Sequence, residues 1–188
     1  MELSNLNIKN GLCIYLGANI DSKFGRPLKS LLICKPKIEE IINEWGDSFN
    51  KKKEEKSKFH TNFFWSSNYE TLPHGVENEQ PNYLNTLLLT KSNSFPKPSN
   101  INAKSLLKEL KKLERFFGRK KTPKSKRWLS RCLDLDILWW EDFHTVEEEL
   151  TLPHPRFMNR NFVIKPLSEI LSRSQKIKKF DDPRWSIK

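Results

Sequence analysis

No apolar run in the 188-residue chain approaches the roughly 20 residues that a membrane-spanning helix requires. Charged residues make up 30% of it, too many for a protein embedded in lipid. The opening residues, MELSNLNIKN, have neither the basic start nor the long apolar stretch of a secretory signal. Cysteine is scarce. Cys13, Cys34 and Cys132 are widely spaced, odd in number and without metal-ligand spacing, so they read as free thiols in a reducing, cytoplasmic compartment. His60, His74, His144 and His154 form no metal-spaced set. There is no internal repeat, no Ser-His-Asp arrangement, no P-loop and no dinucleotide GxGxxG.

What remains is a chain of one-domain size, 36% apolar and 11% aromatic, enough for a packed interior. Its net charge of +11 favours an anionic partner without saying whether that is nucleic acid, membrane or nucleotide. The run KKKEEKSK at 51–58 mixes signs without apolar spacing and reads as a solvated loop. The denser RKKTPKSKR at 119–127 directly precedes the best motif in the chain.

Periodicity suggests the order of elements. LCIYLG at 12–17 reads as a first strand ending in a turn. Leu28, Leu31, Leu32, Ile38, Ile41, Ile42 and Trp45 follow helical spacing, with Pro27 in the first turn, a break or kink expected at Pro36, and a stop at Gly46. A β-rich run, FHTNFFWSSNYE, leads through the loop TLPHGVENEQP to the strand YLNTLLLT at 83–90. Ala103–Phe117 is amphipathic and closed by Gly118. LDLDILWW is an alternating strand, and a final helix is expected over about Phe162–Leu171. The order β-α-β-β-α-β predicts an α+β, ferredoxin-like sandwich, with helices on one side of a mostly antiparallel sheet.

Asp134-Leu135-Asp136 is the strongest local signal. Alternation points both carboxylates one way while Leu135 and Ile137 point into the core. Like charges so close repel unless a cation lies between them, and magnesium takes one or two carboxylates together with phosphate oxygens. A plain pair of solvent-facing aspartates is the bland alternative. Arg131 just upstream, and Arg119, Lys120, Lys121, Lys124, Lys126 and Arg127 in one loop, supply the opposite charge that a metal-bridged polyphosphate needs. Trp128 is either core or a flap over a bound nucleotide. Tyr83 and Asn85 share a strand face beside the loop Thr71–Gly75, where a ring and an amide can stack on and hydrogen-bond to a flat heterocycle. A strand tyrosine is equally well core. In LPHPRFMNRNF at 152–162, His154 is held between prolines, with Arg160 and Phe162 following; a structural histidine is the alternative.

Taken together, YLGAN (15–19), YETLPHG (69–75), QPNYLN (80–85), LERFFGR (113–119), RWLSRCLDLDIL (127–138), LPHPRFMNRNFV (152–163) and PLSEI (166–170) resemble the 6-hydroxymethyl-7,8-dihydropterin pyrophosphokinases in one order over most of the chain. The resemblance implies transfer of diphosphate from ATP to the pterin hydroxymethyl group, releasing AMP, in folate synthesis. It implies that Asp134 and Asp136 bind two Mg2+ ions, and that Arg119 and Arg131 hold the triphosphate. Tyr83 and Phe162 would sandwich the pterin, with Asn85, Thr71, Leu72 and His74 reading its polar edge. Glu114, Lys121, Ile137, Thr151, His154 and Arg160 would surround ATP, with Trp128 closing over the site. A single domain over 1–188 is expected, acting as a monomer without nucleic acid or membrane.

The chain departs from the family in places. Lys121 stands where many members have a second loop arginine, keeping charge but losing the bidentate fork. Glu149 occupies a position that is often arginine. The loop from Gly118 to Trp128 is slightly long, residues 47–58 look inserted, and 173–188 read as a partly ordered tail. Two other readings compete. A basic RNA-binding domain would explain the charge but not the paired aspartates, and salt-dependent RNA binding against ATP-dependent AMP release separates the two. A degenerate non-catalytic relative is opposed by the intact Asp134, Asp136, Arg119, Arg131, Tyr83, Asn85 and Phe162.

Overall fold

The computed structural model describes residues 11–49, 61–73, 79–92, 95–120 and 129–174. Strand β1 (Leu12–Ala18) is buried at all seven positions, so a covering layer is needed on both of its faces. It pairs antiparallel with β4 (Tyr83–Lys91) on one side and β5 (Asp134–Trp140) on the other. The two short strands β2 (Asn62–Trp65) and β3 (Tyr69–Thr71) lie end to end along β4, opposite Leu88–Lys91 and Tyr83–Asn85. Between them Ser66 keeps the ladder going, its N–H donating to Leu87 O at 3.0 Å and its hydroxyl accepting Leu87 N–H at 2.9 Å. With β2 and β3 taken as one interrupted strand, the order β2/β3-β4-β1-β5 is the antiparallel βαββαβ sheet expected from the sequence.

Helices α1 (Pro27–Ser48) and α2 (Asn100–Phe116) cover one face, packing Leu31, Ile38, Ile42, Leu106 and Leu110 on Leu12, Ile14, Leu16, Leu88, Leu135 and Ile137. The third helix, α3 (Asn161–Ser174), lies on the opposite face, where Val163, Leu167 and Ile170 meet Cys13, Tyr15, Leu87, Leu89, Leu138 and Trp139. This corrects the expectation of helices on one side only. The strands carry apolar residues on both faces, and leaving one face to water would expose most of the second cluster. A register shift between Cys13 and Ile14 in the β1–β5 pairing lets Leu138 and Trp139 both join the α3 side while Trp140 returns to the α1–α2 side.

Helix α1 is not broken at Pro36 and does not stop at Gly46. Helix α1 runs through Pro36, which is exposed, as is Leu32, so the Leu32 carbonyl that loses its N–H partner can be solvated. It also runs past Gly46, because Trp45 is buried against Trp140 and Phe95 and donates its indole N–H to Ser105 Oγ at 2.7 Å. Residues 47–48 therefore belong to α1 rather than to an inserted loop; 50–58 lie outside the described residues. Residues 173–174 close α3, and 175–188 lie outside. A small ribbon, β6 (Thr145–Val146) with β7 (Thr151–Leu152), precedes the cis Leu152–Pro153 bond. No helix among the described residues is long and apolar enough to cross a membrane.

Candidate active site

Helix α2 begins at Ser99, whose hydroxyl accepts Asn102 N–H at 3.2 Å, and ends in a turn at Gly118, φ +103°. Gly118 N–H bonds to Arg115 O at 3.0 Å and Arg119 N–H to Glu114 O at 3.1 Å, the paired return contacts that a left-handed residue permits at a helix end. The turn folds Arg119 back beside Glu114. Its Nη1 then reaches both Glu114 Oε1 and Asp134 Oδ1 at 2.5 Å. The second oxygen of Asp134 takes Arg131 Nη1, also at 2.5 Å. Arg131 is itself held by its backbone, which donates to Asn19 Oδ1 at 2.6 Å and accepts Asn19 N–H at 2.9 Å. Asn19 Nδ2 reaches on to Pro81 O and Ser130 Oγ, both at 3.2 Å, tying together two loops that border the site.

Glu114 is 2% exposed and is a hub. Besides Arg119 it accepts Lys111 Nζ at 2.8 Å and the backbone N–H of Leu135 at 2.7 Å. Lys111 also donates to Leu135 O at 2.8 Å and stands 3.6 Å from Asp136 Oδ1. Three cations therefore face three carboxylates. Burial opposes the charge on Asp134, but Arg131, Arg119 and Lys111 outweigh it and hold its carboxyl below the usual carboxylate range. Burial pushes the Glu114 carboxyl up against the pull of Lys111. Lys111 loses to burial but gains more from Asp136, Glu114 and Asp134, so its ammonium is held more firmly than usual.

The β1–β4 and β1–β5 registers set Tyr15, Gly17, Asn85, Leu87, Asp134 and Asp136 on one sheet face, the α3 side. The β3–β4 register adds Tyr69, Thr71 and Tyr83. Asn85 is buried. Its Nδ2 donates to Thr71 Oγ1 (2.9 Å), Tyr69 O (3.1 Å) and Tyr83 O (3.3 Å), while its Oδ1 accepts the Tyr15 hydroxyl at 2.7 Å. Phe162, on the first turn of α3, stands with its ring centroid 5.5 Å from that of Tyr15, and the Arg160 guanidinium lies 5.3 Å from the Phe162 ring centre. Burial, and then Arg156, lowers the proton affinity of Arg160. His154 N–H bonds to Leu138 O at 2.7 Å, fixing the 152–160 segment to β5. Burial depresses the His154 imidazole below its usual range, with Asp136 pulling the other way.

Most of the expected site residues thus meet at one end of one sheet face. Ile137 is an exception: its side chain is buried in the α1–α2 core, so it offers a ligand only its backbone. Leu72 is 77% exposed beyond β3, and Thr151 is half-buried in the ribbon. His74, Lys121 and Trp128 lie outside the described residues, as do Lys124, Lys126 and Arg127. Three residues that touch this cluster were not singled out in the sequence. Tyr15 and Asn19 lie in YLGAN without an assigned role, and Lys111 stands one helical turn before Glu114, where i,i+3 spacing signals a pair.

Paired carboxylates set among arginines and a lysine, on the sheet face that also carries Tyr15, Tyr83 and Asn85, form a site suited to a phosphorylated ligand and a flat ring. The sequence matches the family described as 7,8-dihydro-6-hydroxymethylpterin-pyrophosphokinase over residues 13–172, and the chain belongs to that family. It is 38% identical over 107 residues to the 2-amino-4-hydroxy-6-hydroxymethyldihydropteridine pyrophosphokinase of Haemophilus influenzae, covering 57% of this chain and 60% of that one. The Bacillus subtilis enzyme of the same name is 36% identical over 111 residues, 59% of this chain and 60% of the relative. A folate synthesis bifunctional protein of Arabidopsis thaliana is 35% identical over 103 residues, 55% of this chain but 19% of the plant protein. The matched stretch spans about three fifths of the length of the two bacterial relatives.

Proposed function

We propose that the protein transfers the diphosphate of ATP to the hydroxymethyl group of 6-hydroxymethyl-7,8-dihydropterin, releasing AMP, as a step of folate synthesis. The observation that carries this reading is the pairing of Asp134 and Asp136, on the sheet face that also bears Tyr83 and Asn85, with the cations Arg119, Arg131 and Lys111. Two relatives carry the same activity in their names. The sheet is covered on both faces, which counts against binding RNA across exposed sheet aromatics.

The donor set fits magnesium. Asp134 and Asp136 offer hard carboxylate oxygens, and no cluster of three or more His, Cys, Asp or Glu occurs among the described residues to complete an all-protein cage. Mg2+ in phosphoryl-transfer sites commonly joins one or two such carboxylates to phosphate oxygens and water, and two ions are proposed. When bound, Mg2+ would neutralise phosphate charge and acidify the substrate hydroxyl.

In the reaction the hydroxymethyl oxygen loses its proton to solvent and bonds to the β-phosphorus, the bond from that phosphorus to the bridging α-phosphate oxygen breaks, and AMP leaves with that oxygen. Arg119 and Arg131, resting on Asp134, are placed to exchange that carboxylate for phosphate oxygens. Tyr83 and Phe162 hold the pterin between them, with Asn85, Thr71, Leu72 and His74 at its polar edge. Glu114, Lys121, Trp128, Ile137, Thr151, His154 and Arg160 make up the nucleotide side. The free, buried cysteines Cys13, Cys34 and Cys132 support a reducing, cytoplasmic location; the enzyme is proposed to act as a monomer. A coupled assay for AMP with ATP, Mg2+ and the hydroxymethyl-dihydropterin tests the reading. AMP formation that does not depend on the pterin overturns it.

A further inference from the structure

Tyr15 sits under the proposed ring slot. It is 5% exposed, and its register partners are Leu87 and Asp136, so it points to the face that carries the aspartates. Two residues on, the chain has Gly17, where a Cβ would fall 2.1 Å from the Tyr15 hydroxyl oxygen. The phenol therefore occupies the space that a side chain at 17 would need, and it reaches past Gly17 to Asn85 on the neighbouring strand β4 because that side chain is missing.

The hydrogen bond it makes there decides what Asn85 can present. Both N–H groups of Asn85 Nδ2 are directed to acceptors within the chain, at Thr71, Tyr69 and Tyr83. Oδ1 accepts the Tyr15 hydroxyl at 2.7 Å and keeps a second lone pair. The ring of the same tyrosine lies against Phe162, at 49° between planes, and limits how far Phe162 can settle toward the sheet.

We propose that Tyr15 is a positioning residue for the heterocycle. Its hydroxyl fixes Asn85 as an acceptor for a ligand N–H, and its ring sets the height of Phe162 above the sheet. The inference rests on the reading that a pterin lies between Tyr83 and Phe162.

Tyr15→Phe tests it in the full-length protein, since the ring and the packing are kept and only the hydroxyl is lost. Calorimetric titration with 6-hydroxymethylpterin in the presence of a non-hydrolysable ATP analogue and Mg2+ is expected to show about tenfold weaker pterin binding, the size of one lost neutral hydrogen bond. Binding of the ATP analogue alone stays within about twofold, and turnover shows a raised pterin KM with kcat little changed. Unchanged pterin affinity in the variant overturns the positioning role. Equal weakening of both ligands also overturns it, because it marks a merely structural tyrosine. Absence of pterin binding by the unaltered protein overturns the functional reading, and this inference with it.

Discussion

Glu114, on α2, accepts the backbone N–H of Leu135, the residue separating the two aspartates, at 2.7 Å. The same oxygen takes Lys111 and Arg119. One buried side chain thereby fixes the height of β5 against α2 and the direction of two of the site's cations. Strand, helix end and charge cluster share one anchor.

That anchor predicts a stability cost. Glu114→Ala removes the acceptor of Leu135 N–H and leaves Lys111 and Arg119 with less counter-charge, each of them partly exposed. The expected loss is about 2–3 kcal/mol, at the lower end for a broken buried pair because water can reach both cations. Glu114→Gln keeps an acceptor oxygen and should lose less. Urea unfolding of both variants decides this; a loss below about 0.5 kcal/mol for the alanine variant, the scale of an ordinary surface change, would remove Glu114 from the centre of the site.

Asp136 and Asp134 should separate in a different way. Among the described residues Asp136 pairs with Lys111 at 3.6 Å, while Asp134 is held by two guanidinium groups. Asp136→Asn is expected to leave the melting temperature nearly unchanged and to lower turnover about 10³-fold or more, the scale of losing several kcal/mol of charge stabilisation. Asp134→Asn should lose turnover and also stability, because Arg119 and Arg131 are left facing each other over a neutral group. Thermal unfolding alongside AMP release gives the comparison, and near-normal turnover in Mg2+ for either variant contradicts the metal-ligand assignment.

Arg131 offers a kinetic test. If it moves from Asp134 to the transferring phosphate, Arg131→Ala lowers kcat and kcat/KM together, by about 2–4 kcal/mol for one lost charge-stabilising donor. Arg131→Lys restores part of this, since an ammonium cannot fork onto two oxygens. Steady-state kinetics at fixed Mg2+ reads the difference. An alanine variant with a raised KM and an intact kcat would instead make Arg131 a plain binding group.

Where the apolar pattern was strong, structure could be read from sequence. Strands β1, β4 and β5 and helix α2 fall within a few residues of their expected bounds, and the facing of Asp134 and Asp136 followed from alternation alone. The continuation of α1 through Pro36 and Gly46 could not be read, because burial of Trp45 against Phe95 and Trp140, partners far along the chain, outweighs the local breakers. The side chosen by α3 was hidden for a similar reason: strands apolar on both faces do not say which helix covers which. Tyr15 and Lys111 were missed because their roles depend on Asn85, seventy positions away, and on Asp136 across a helix–strand contact.

A second distant contact yields the pH prediction. Glu169 on α3 accepts Ser67 N–H and Ser67 Oγ, each at 2.8 Å, and the Tyr69 hydroxyl at 3.0 Å, and it pairs with Arg173. Burial, then the bond to Glu169, pushes the Tyr69 phenol up to about 12. The folded state therefore holds this proton more tightly than the unfolded chain, whose tyrosine titrates near about 10. The contribution is fully present below about pH 10 and is lost as pH rises toward about 12. Tyr69→Phe, which lacks the hydroxyl, should be less stable than the unaltered protein by about 1 kcal/mol near neutrality. That gap should narrow steadily above about pH 10, since ionisation turns the donor into an anion facing the Glu169 carboxylate. Because both proteins carry the same lysines, the difference between their urea midpoints isolates Tyr69 from the general alkaline titration. A gap that stays constant across this range would mean that the Tyr69 hydroxyl does not hold α3 to β3 through Glu169.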